Sequence, residues 1–500
     1  MTSQRTDAGV DPYEPRPGLI CREADWSGLR VVVTGLGVSG FAAADALSEQ
    51  GADVIVVDGS SVGDRLLERA QILRVLDVDV RLGVEYVQTL PEDIDLVVTS
   101  PGWSPSQPLL KEAALRGVPI WGEVELAWRM RPREGSAPWI TVTGTNGKTT
   151  TVKMLTSILE AAGKRTVAAG NVGTPIMEAV LDPSPYDFIV VELSSFQLHW
   201  QRSLSPLASV CLNVAPDHVD WHGSFEEYAS AKARVYANTK ASCVYNVDVP
   251  RTEQMVRDAE VQEGCRAVGF TLGVPGLSMV GLVDDVLADR AFVTQRQTSA
   301  AELGTLADLR AGEQDPAPHF VANALAAAAL ARSCGVPPAA VRDGLVSFQP
   351  DAHRIAEVAT AQGVSWIDDS KATNPHAAAA SLAAYPSVVW IAGGLLKGAD
   401  VDELVEGAVD RLKAVLLIGR DRDRIKQALI RHAPKIPLVE FAETDTGVMG
   451  RVVARAAELA SPGDVVLLAP AAASMDMFAD YGARGDAFAA AVRSLLLIDE

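Results

Sequence analysis

Three times along this chain, short runs of branched apolar residues end in glycine-rich or polar turns. Each time a stretch with helical spacing follows. The first unit opens at "LRVVVTGLGVSGFAAADALSEQGADVIVVDGS". An apolar strand, Val31 to Thr34, runs into Gly35-Leu36-Gly37-Val38-Ser39-Gly40; an amphipathic helix follows, then a second strand ending at Asp58. Strand, tight turn, helix and strand make a βαβ unit. A further strand, "DLVVTSPG", ends in a turn at Ser100, Pro101 and Gly102.

The second unit begins after "RPREGSAP", whose proline and glycine content marks a linker. Strand Trp139 to Thr143 precedes a glycine turn, and a helix is predicted from about Lys148 to Ala162. "YDFIVVELSS" and "LASVCLNVAPDH" are strands with polar ends, and "HFVANALAAAALARSCGV" is an Ala-rich helix stopped near Gly335. In the third unit, after "SFQPDAHR", strands "VSWIDD", "SVVWIAGG", "AVLLIG" and "DVVLLAP" alternate with helical stretches. That rhythm predicts a parallel sheet covered on both faces. Residues 250–315 lack a clear period and are expected to form short strands and loops. The resulting boundaries are 1–25 for a mobile extension, 26–136, 137–350 and 351–500 for three α/β domains.

Length agrees: 500 residues make about three domains at roughly 150 each. A formal charge of −20 argues against the basic face that nucleic-acid binding needs. The five cysteines show no C-x-x-C spacing and read as reduced thiols, so a cytoplasmic setting is expected. "MTSQRTDAGVDPYEPRPG" has no apolar core of a signal peptide, and no uncharged run reaches membrane-spanning length, so no membrane insertion is expected.

The chemistry gathers at strand ends, where ligands of α/β sheets collect. In "TVTGTNGKTT" the run Gly144-Thr145-Asn146-Gly147-Lys148-Thr149-Thr150 is a shortened phosphate loop, with Val142 where the usual first glycine would stand. Its backbone N–H groups and the following helix start would wrap a triphosphate, Lys148 would meet the terminal phosphates, and a threonine hydroxyl would face Mg²⁺. Glu192, ending the strand in "VVELSS", is placed for the same cation. "DHVDWH" packs Asp217, His218, Asp220 and His222 together, a pattern of metal or acid–base work against which stands a plain polar loop. Lys232, a turn or two into the next helix, reads from spacing as a solvated lysine. "WIDDSKATNPHA", "AGGLLKGAD" and "APAAASMDMF" end strands with lysines and hydroxyls suited to a carboxylate, or to ordinary turns. The G-x-G-x-x-G turn, with Asp58 lying 18 positions after Gly40, admits NAD or any nucleoside diphosphate.

Taken in order, "GTNGKTT", "GNVGTP", "ELSSFQL", "DHVDWH", "AKARVYAN", His353-Arg354, "DDSKATNP" and "GGLLKGAD" resemble the Mur ligase family over residues 28 to 490. Folylpolyglutamate synthetases share part of that set. "ELSSFQL", "DSKATN" and "GGxxKGAD" look most like the branch that adds D-glutamate. The resemblance implies a Rossmann-like N-terminal domain, a P-loop ATP-binding central domain and a doubly wound Rossmann-like C-terminal domain. It implies ATP, UDP-N-acetylmuramoyl-L-alanine and D-glutamate as partners, two Mg²⁺, and a monomer.

Residue roles follow from the same resemblance. Lys148, Thr149 and the rest of the loop, with Asn323, Arg354 and Asp369, would meet ATP. Thr149, Glu192, His218 and a carbamylated Lys232 would hold the metals, with Lys148, His218 and Lys232 catalytic. Carbamylation needs a neutral amine, hence a desolvated site. Val38, Ser39, Gly40, Ser100, Pro101, Gly102, Asn171 and His218 would hold the UDP substrate. Thr373, Lys397, Ser474 and Tyr481 would clasp D-glutamate. Three departures touch details of binding: Phe320 where relatives often have Asn, Tyr481 where Phe is usual, and Gly59-Ser60 at the uracil turn. Residues 250–315 are longer than the family leads one to expect.

Overall fold

A computed structural model describes residues 15–16, 18–310, 316–349, 352–443 and 447–497. They fall into two compact units. The first holds the described residues up to Val214, Glu226–Pro316 and Phe320–Phe348; the second holds Ala215–Phe225, Ala317–His319 and the described residues from Gln349 on.

The first unit contains two sheets. Strands β1 (Arg30–Thr34), β2 (Asp53–Asp58), β3 (Asp79–Leu82), β4 (Leu96–Thr99) and β5 (Ile120–Gly122) are all parallel, in the order β3-β2-β1-β4-β5. The "VVV" of β1 is buried throughout, because helices cover both faces of such a sheet. The helix Val38–Glu49 leaves β1 at a very close turn. A Cβ at Gly40 would lie 1.8 Å from the Gly35 carbonyl oxygen, so only glycine allows that approach.

The second sheet has nine strands: β6 (Trp139–Thr143), β7 (Thr166–Gly170), β8 (Phe188–Glu192), β9 (Ala208–Cys211), β10 (Ser242–Asn246), β11 (Arg266–Phe270), β12 (Met279–Val283), β13 (Val286–Asp289) and β14 (Ala301–Thr305). Their order is β14-β13-β12-β11-β10-β9-β6-β8-β7. The sheet is parallel from β7 to β12, and then β13 and β14 return antiparallel. The described residues of this stretch, 250–310, therefore extend the sheet edge, and they also carry a helix, Pro250–Arg257, that the sequence pattern missed; residues 311–315 lie outside the described residues. That helix buries only Thr252 and Met255, too few positions to set up a period. The helix Pro318–Ser333 is buried all along Ala324–Ala331, its small side chains permitting close packing on every side.

Within this unit the two sheets are fastened by a buried carboxylate. Glu125 accepts from Arg129 Nε at 2.6 Å, from the Arg202 and Ser203 N–H groups at 2.7 and 2.9 Å, and from the Ser203 hydroxyl at 2.6 Å. Four donors offset the cost of burying its charge. The expected mobile extension needs correction at its end. Residues 1–14 and 17 lie outside the described residues, but from Gly18 the chain is packed: Leu19 and Cys21 are buried, and Arg22 N–H donates to Arg131 O at 3.0 Å. Leu19, Cys21 and Trp26 are spaced too sparsely to show as a pattern, yet each fills the core.

The second unit is built on β15 (Ala356–Ala361), β16 (Val364–Asp368), β17 (Val388–Gly393), β18 (Leu412–Ile418), β19 (Leu438–Glu440) and β20 (Val465–Leu468), in the order β15-β16-β20-β17-β18-β19. All neighbours are parallel except the edge strand β15. Because β16, β20 and β17 are adjacent, the loops leaving their carboxyl ends lie side by side.

Candidate functional site

In the first unit the loop after β6 is held from several sides. Thr145 N–H donates to Asn213 O at 3.0 Å, and Asn146 N–H to Asn213 Oδ1 at 2.9 Å. Asn213 Nδ2 returns a bond to Asn146 O at 3.1 Å, and the Thr145 hydroxyl meets Tyr228 OH at 2.9 Å. Gly147 has a left-handed φ of 85°, and a Cβ there would lie 2.3 Å from Asn323 Oδ1. The helix Lys148–Ala161 starts at once, aiming its first N–H groups at the loop's concave side. Asn213 and Tyr228 were not singled out from the sequence; strand-end "CLNV" was the only trace of the first.

Lys148 Nζ donates to Gly144 O at 2.9 Å and Thr145 O at 3.0 Å. Lys232, on the helix Phe225–Ala233, is only 2% exposed. Its Nζ donates to Gly144 O at 2.8 Å and Thr143 Oγ1 at 3.4 Å, and lies 4.8 Å from the Tyr228 ring centroid. So this lysine is buried beside the loop, not solvated as its spacing alone suggested. Thr149 and Thr150 are buried at the helix start.

Glu192 ends β8, the neighbour of β6, and is 1% exposed. Its Oε1 accepts from Asn171 Nδ2 at 2.9 Å, while its Oε2 has no hydrogen-bond partner among the described residues. A buried anionic oxygen left without a donor is costly and fits a hard cation. His218 and its neighbours belong to the second unit. His218 has a φ of 50° and its Nε2 stands 3.6 Å from Asp217 Oδ2. Among the described residues no three His, Cys, Asp or Glu side chains gather as a metal cluster, so the Asp217–His222 run does not form one by itself.

The turns after β1 and β4 meet: Ser100 Oγ donates to Gly35 O at 3.3 Å. Val38 is exposed at the helix start, and Ser39 hydrogen-bonds the carboxyl of Glu123. Pro101 and Gly102 continue the Ser100 turn. Asp58 braces the glycine turn after β1, accepting from Leu36 N–H at 2.7 Å, and also its own turn, accepting from Ser60 N–H at 2.8 Å. Glu123, missed from the sequence, is 4% exposed. Burial pushes its pKa up against the opposing bonds from Ser39 and the Met177 N–H.

In the second unit Asp369 follows β16 and is buried; desolvation raises its pKa to about 6, although Ser381 Oγ, Arg354 and the Ile355 N–H favour its anion. Leu395 and Ala473 exchange two backbone bonds, at 2.8 and 2.9 Å, which brings the Lys397 loop against the Ser474 loop. Lys397 has a φ of 50° and is exposed, whereas Ser474 is buried. Ser370 Oγ donates to Tyr481 O at 2.7 Å, and Lys371 Nζ lies 5.5 Å from the Tyr481 ring centroid. Thr373 N–H turns back to Lys371 O at 2.9 Å. Thr373, Lys397, Ser474 and Tyr481 thus stand on one sheet edge. Arg484, also unforeseen, is buried and donates to Ser370 Oγ, Ser370 O and Ala472 O at 2.8–3.0 Å, tying two of these loops. Phe320, at the position of a departure, packs against Phe348 with ring centroids 6.0 Å apart.

A glycine-wrapped loop beside a buried lysine and carboxylate is the arrangement a nucleotide-dependent enzyme needs to hold phosphates and a cation, and the family places that enzyme among the ligases. The chain belongs to the Mur ligase family: residues 29–122 match the Mur ligase MurD-like N-terminal domain, 142–331 the Mur ligase middle domain, and 353–472 the Mur ligase glutamate ligase domain. It is 59% identical over 473 residues to the UDP-N-acetylmuramoylalanine--D-glutamate ligase of Streptomyces avermitilis, covering 94% of this chain and 99% of the relative. It is 46% identical to the enzyme of the same name from Mycolicibacterium smegmatis, covering 93% and 97%. Among solved structures, the fold is similar to the UDP-N-acetylmuramate-alanine ligase MurC of Thermotoga maritima (TM-score 0.53, 20% identity, 93% and 99% covered). It is also similar to the MurF ligase of the same organism in complex with ADP (TM-score 0.53, 18% identity, 96% and 100% covered). Among the described residues no helix is long and apolar enough to cross a membrane.

Proposed function

We propose that this chain is the ATP-dependent ligase that joins D-glutamate to UDP-N-acetylmuramoyl-L-alanine in peptidoglycan precursor synthesis. The kinship to enzymes of that name at 46–59% identity supports the substrates. The observation that carries the chemistry is the orphaned Glu192 Oε2, buried at the end of the strand beside the phosphate loop. A carboxylate is a poor electrophile. Its oxygen attacks the γ-phosphorus of ATP, ADP leaves, and the acyl phosphate then takes the amine of D-glutamate with loss of phosphate. Lys148 would turn from its loop carbonyls to the transferring phosphoryl group, and the N–H groups of residues 144–150 would hold the β- and γ-phosphates.

Glu192 and Thr149 would hold Mg²⁺, which supplies charge neutralisation on the phosphates. The resemblance adds a second Mg²⁺, to which His218 and a carbamylated Lys232 would contribute; that assignment rests on the resemblance alone. Asn323, Arg354 and Asp369 would serve ATP. Val38 to Gly40, Ser100 to Gly102, Asn171 and His218 would serve the UDP substrate. Thr373, Lys397, Ser474 and Tyr481 would serve D-glutamate, Lys397 pairing with a carboxylate. A monomer working in the cytoplasm completes the reading, as do the domain limits 26–136, 137–350 and 351–500.

The test is phosphate release by the purified protein. Release is expected only with ATP, Mg²⁺, the UDP-muramoyl-alanine and D-glutamate together, and Lys148→Ala abolishes it. Equal turnover of L-glutamate or meso-diaminopimelate overturns the substrate assignment.

A further inference from the structure

Cys243 and Cys265 hold their sulfurs 3.7 Å apart, a pairing the ligase reading does not use. The two residues are 22 positions apart in the chain, and the sheet order brings them together. Cys243 is the second residue of β10. Cys265 closes the turn that feeds β11, one residue ahead of Arg266, the register partner of Ser242. That turn is pinned by Gln262 N–H on Thr239 O at 3.0 Å, by Cys265 N–H on Gln262 O at 3.1 Å and by Arg266 N–H on Ala241 O at 2.9 Å. Backbone, then, sets how close the two side chains stand.

The two thiols differ in access. Cys243 is 1% exposed and packs in the core, whereas Cys265 is half-buried and reaches the surface. Their mutual hydrogen bond holds the Cys265 thiol below its ordinary range; the same bond, with burial, pushes Cys243 up. The thiolate is the nucleophilic form, so the reactive sulfur of the pair is the one that solvent reaches. The other three cysteines are built differently. Cys21 and Cys211 are buried, and Cys334 is half-buried, but burial pushes its thiol up to about 12. Among the described residues no other two cysteine sulfurs stand in such contact.

We propose that Cys265 and Cys243 form a modification site for hydroperoxides, Cys265 attacking and Cys243 resolving, which closes a reversible disulfide between β10 and the turn into β11. With hydrogen peroxide, the Cys265 thiolate attacks one oxygen, the O–O bond breaks and hydroxide leaves. Cys265 is then a sulfenic acid. The Cys243 sulfur attacks the sulfenic sulfur, the S–O bond breaks, and the departing hydroxide takes the Cys243 proton and leaves as water. Two thiols lose two electrons, peroxide gains them, and the products are one disulfide and two waters. Forming the bond takes a shift of under about 2 Å. Cys265 has room for it, since it stands outside the strand and follows Gly264, whose φ is 88°. The disulfide also spares Cys265 the further, irreversible steps of oxidation. Nothing in this chemistry depends on which amino acid the ligase adds.

The experiment treats the full chain, reduced and then freed of reductant, with a small excess of hydrogen peroxide, and reads an unreduced tryptic digest by mass spectrometry. Trypsin cuts after Lys240, Arg251, Arg257 and Arg266, so the two cysteines fall in separate peptides. The expected product is those two peptides joined, separated again by dithiothreitol, with Cys265 consumed at least about tenfold faster than Cys334. In Cys243→Ala, dimedone is expected to trap the sulfenic acid on Cys265. In Cys265→Ser, Cys243 is expected to stay reduced. The proposal falls if the folded wild type yields no joined peptide, if Cys334 reacts as fast as Cys265, or if Cys243 is oxidised equally well in Cys265→Ser.

Discussion

Lys148 and Lys232 donate to the same oxygen, the carbonyl of Gly144, at 2.9 and 2.8 Å. They come from different helices, Lys148–Ala161 and Phe225–Ala233, and Lys232 is buried. Two like charges sharing one acceptor repel, and addition of triphosphate and metal would change the balance at this point. Converting Lys232 to a carbamate, as proposed, would remove the repulsion and would turn a competitor for the loop into an anion able to serve a metal. The expected outcome is a carbamate ¹³C signal when the protein is equilibrated with ¹³C-bicarbonate, absent in Lys232→Arg, with activity of that variant lower by about 10²-fold or more. A wild-type enzyme that is fully active with no such signal refutes the carbamate.

Glu192 differs from an ordinary structural acid in that one oxygen is satisfied by Asn171 and the other by nothing described. Glu192→Gln keeps the shape and the acceptor for Asn171 but removes the charge. Turnover is expected to fall by about 10²-fold or more, and the Mg²⁺ concentration for half-maximal activity to rise. Because an orphaned buried anion does not stabilise the fold, the melting temperature should stay or rise. An unchanged Mg²⁺ curve with lost activity would assign Glu192 another role.

Asp369 provides a test by pH. Its ordinary pKa of 3.8 is raised to about 6 in the fold, chiefly by burial. The neutral acid is the form the fold prefers, so its contribution is fully present below the unfolded pKa near 4 and is lost as pH rises through about 6. The gap is worth about 3 kcal/mol at most. Asp369→Asn, permanently neutral, is expected to be no more stable than wild type at pH 4 and more stable at pH 7, with weaker ATP use. Parallel melting curves of the two proteins across that range would contradict it.

The strands and the loops at their ends were readable in the sequence, since β1 and β8 carry apolar runs closed by Thr34-Gly35 and by Glu192, β6 alternates apolar residues with threonine up to Gly144, and β20 is an apolar run closed by Ala469-Pro470. Local spacing also located Gly144 to Thr150, Glu192, and the loops carrying Lys397 and Ser474. Unreadable were the residues that act at long range. Asn213 reaches the phosphate loop from 67 positions away, and Arg484 reaches Ser370 from 114. Neither has a periodic or motif signature, because its partner is set by the sheet order. Lys232 was misjudged from spacing for the same reason: helix geometry gives a face, but which neighbour covers that face is a tertiary fact.

Glu125 lies under the junction of the first two sheets, with four donors on one carboxylate. Glu125→Ala strips Arg129 of this buried counter-charge and leaves the Arg202 and Ser203 N–H groups without their acceptor. Stability should drop by about 3–5 kcal/mol, read as a lower denaturant midpoint. Glu125→Gln, which keeps an acceptor oxygen, should lose less. Equal losses would show that shape, not charge, matters there.

Gly40 offers a test of whether the turn after β1 serves the UDP substrate, as proposed, apart from the phosphate loop. A methyl group at Gly40 cannot coexist with the Gly35 carbonyl 1.8 Å away, so Gly40→Ala must push the helix Val38–Glu49 off its turn. The displaced atoms are those of Val38 and Ser39, whereas the phosphate loop belongs to the other sheet of the unit. The KM for UDP-N-acetylmuramoyl-L-alanine should rise by about tenfold or more, each tenfold being about 1.4 kcal/mol of lost binding, while the KM for ATP stays within about twofold. Should both constants rise together, the turn would be holding the whole unit and not the UDP substrate alone.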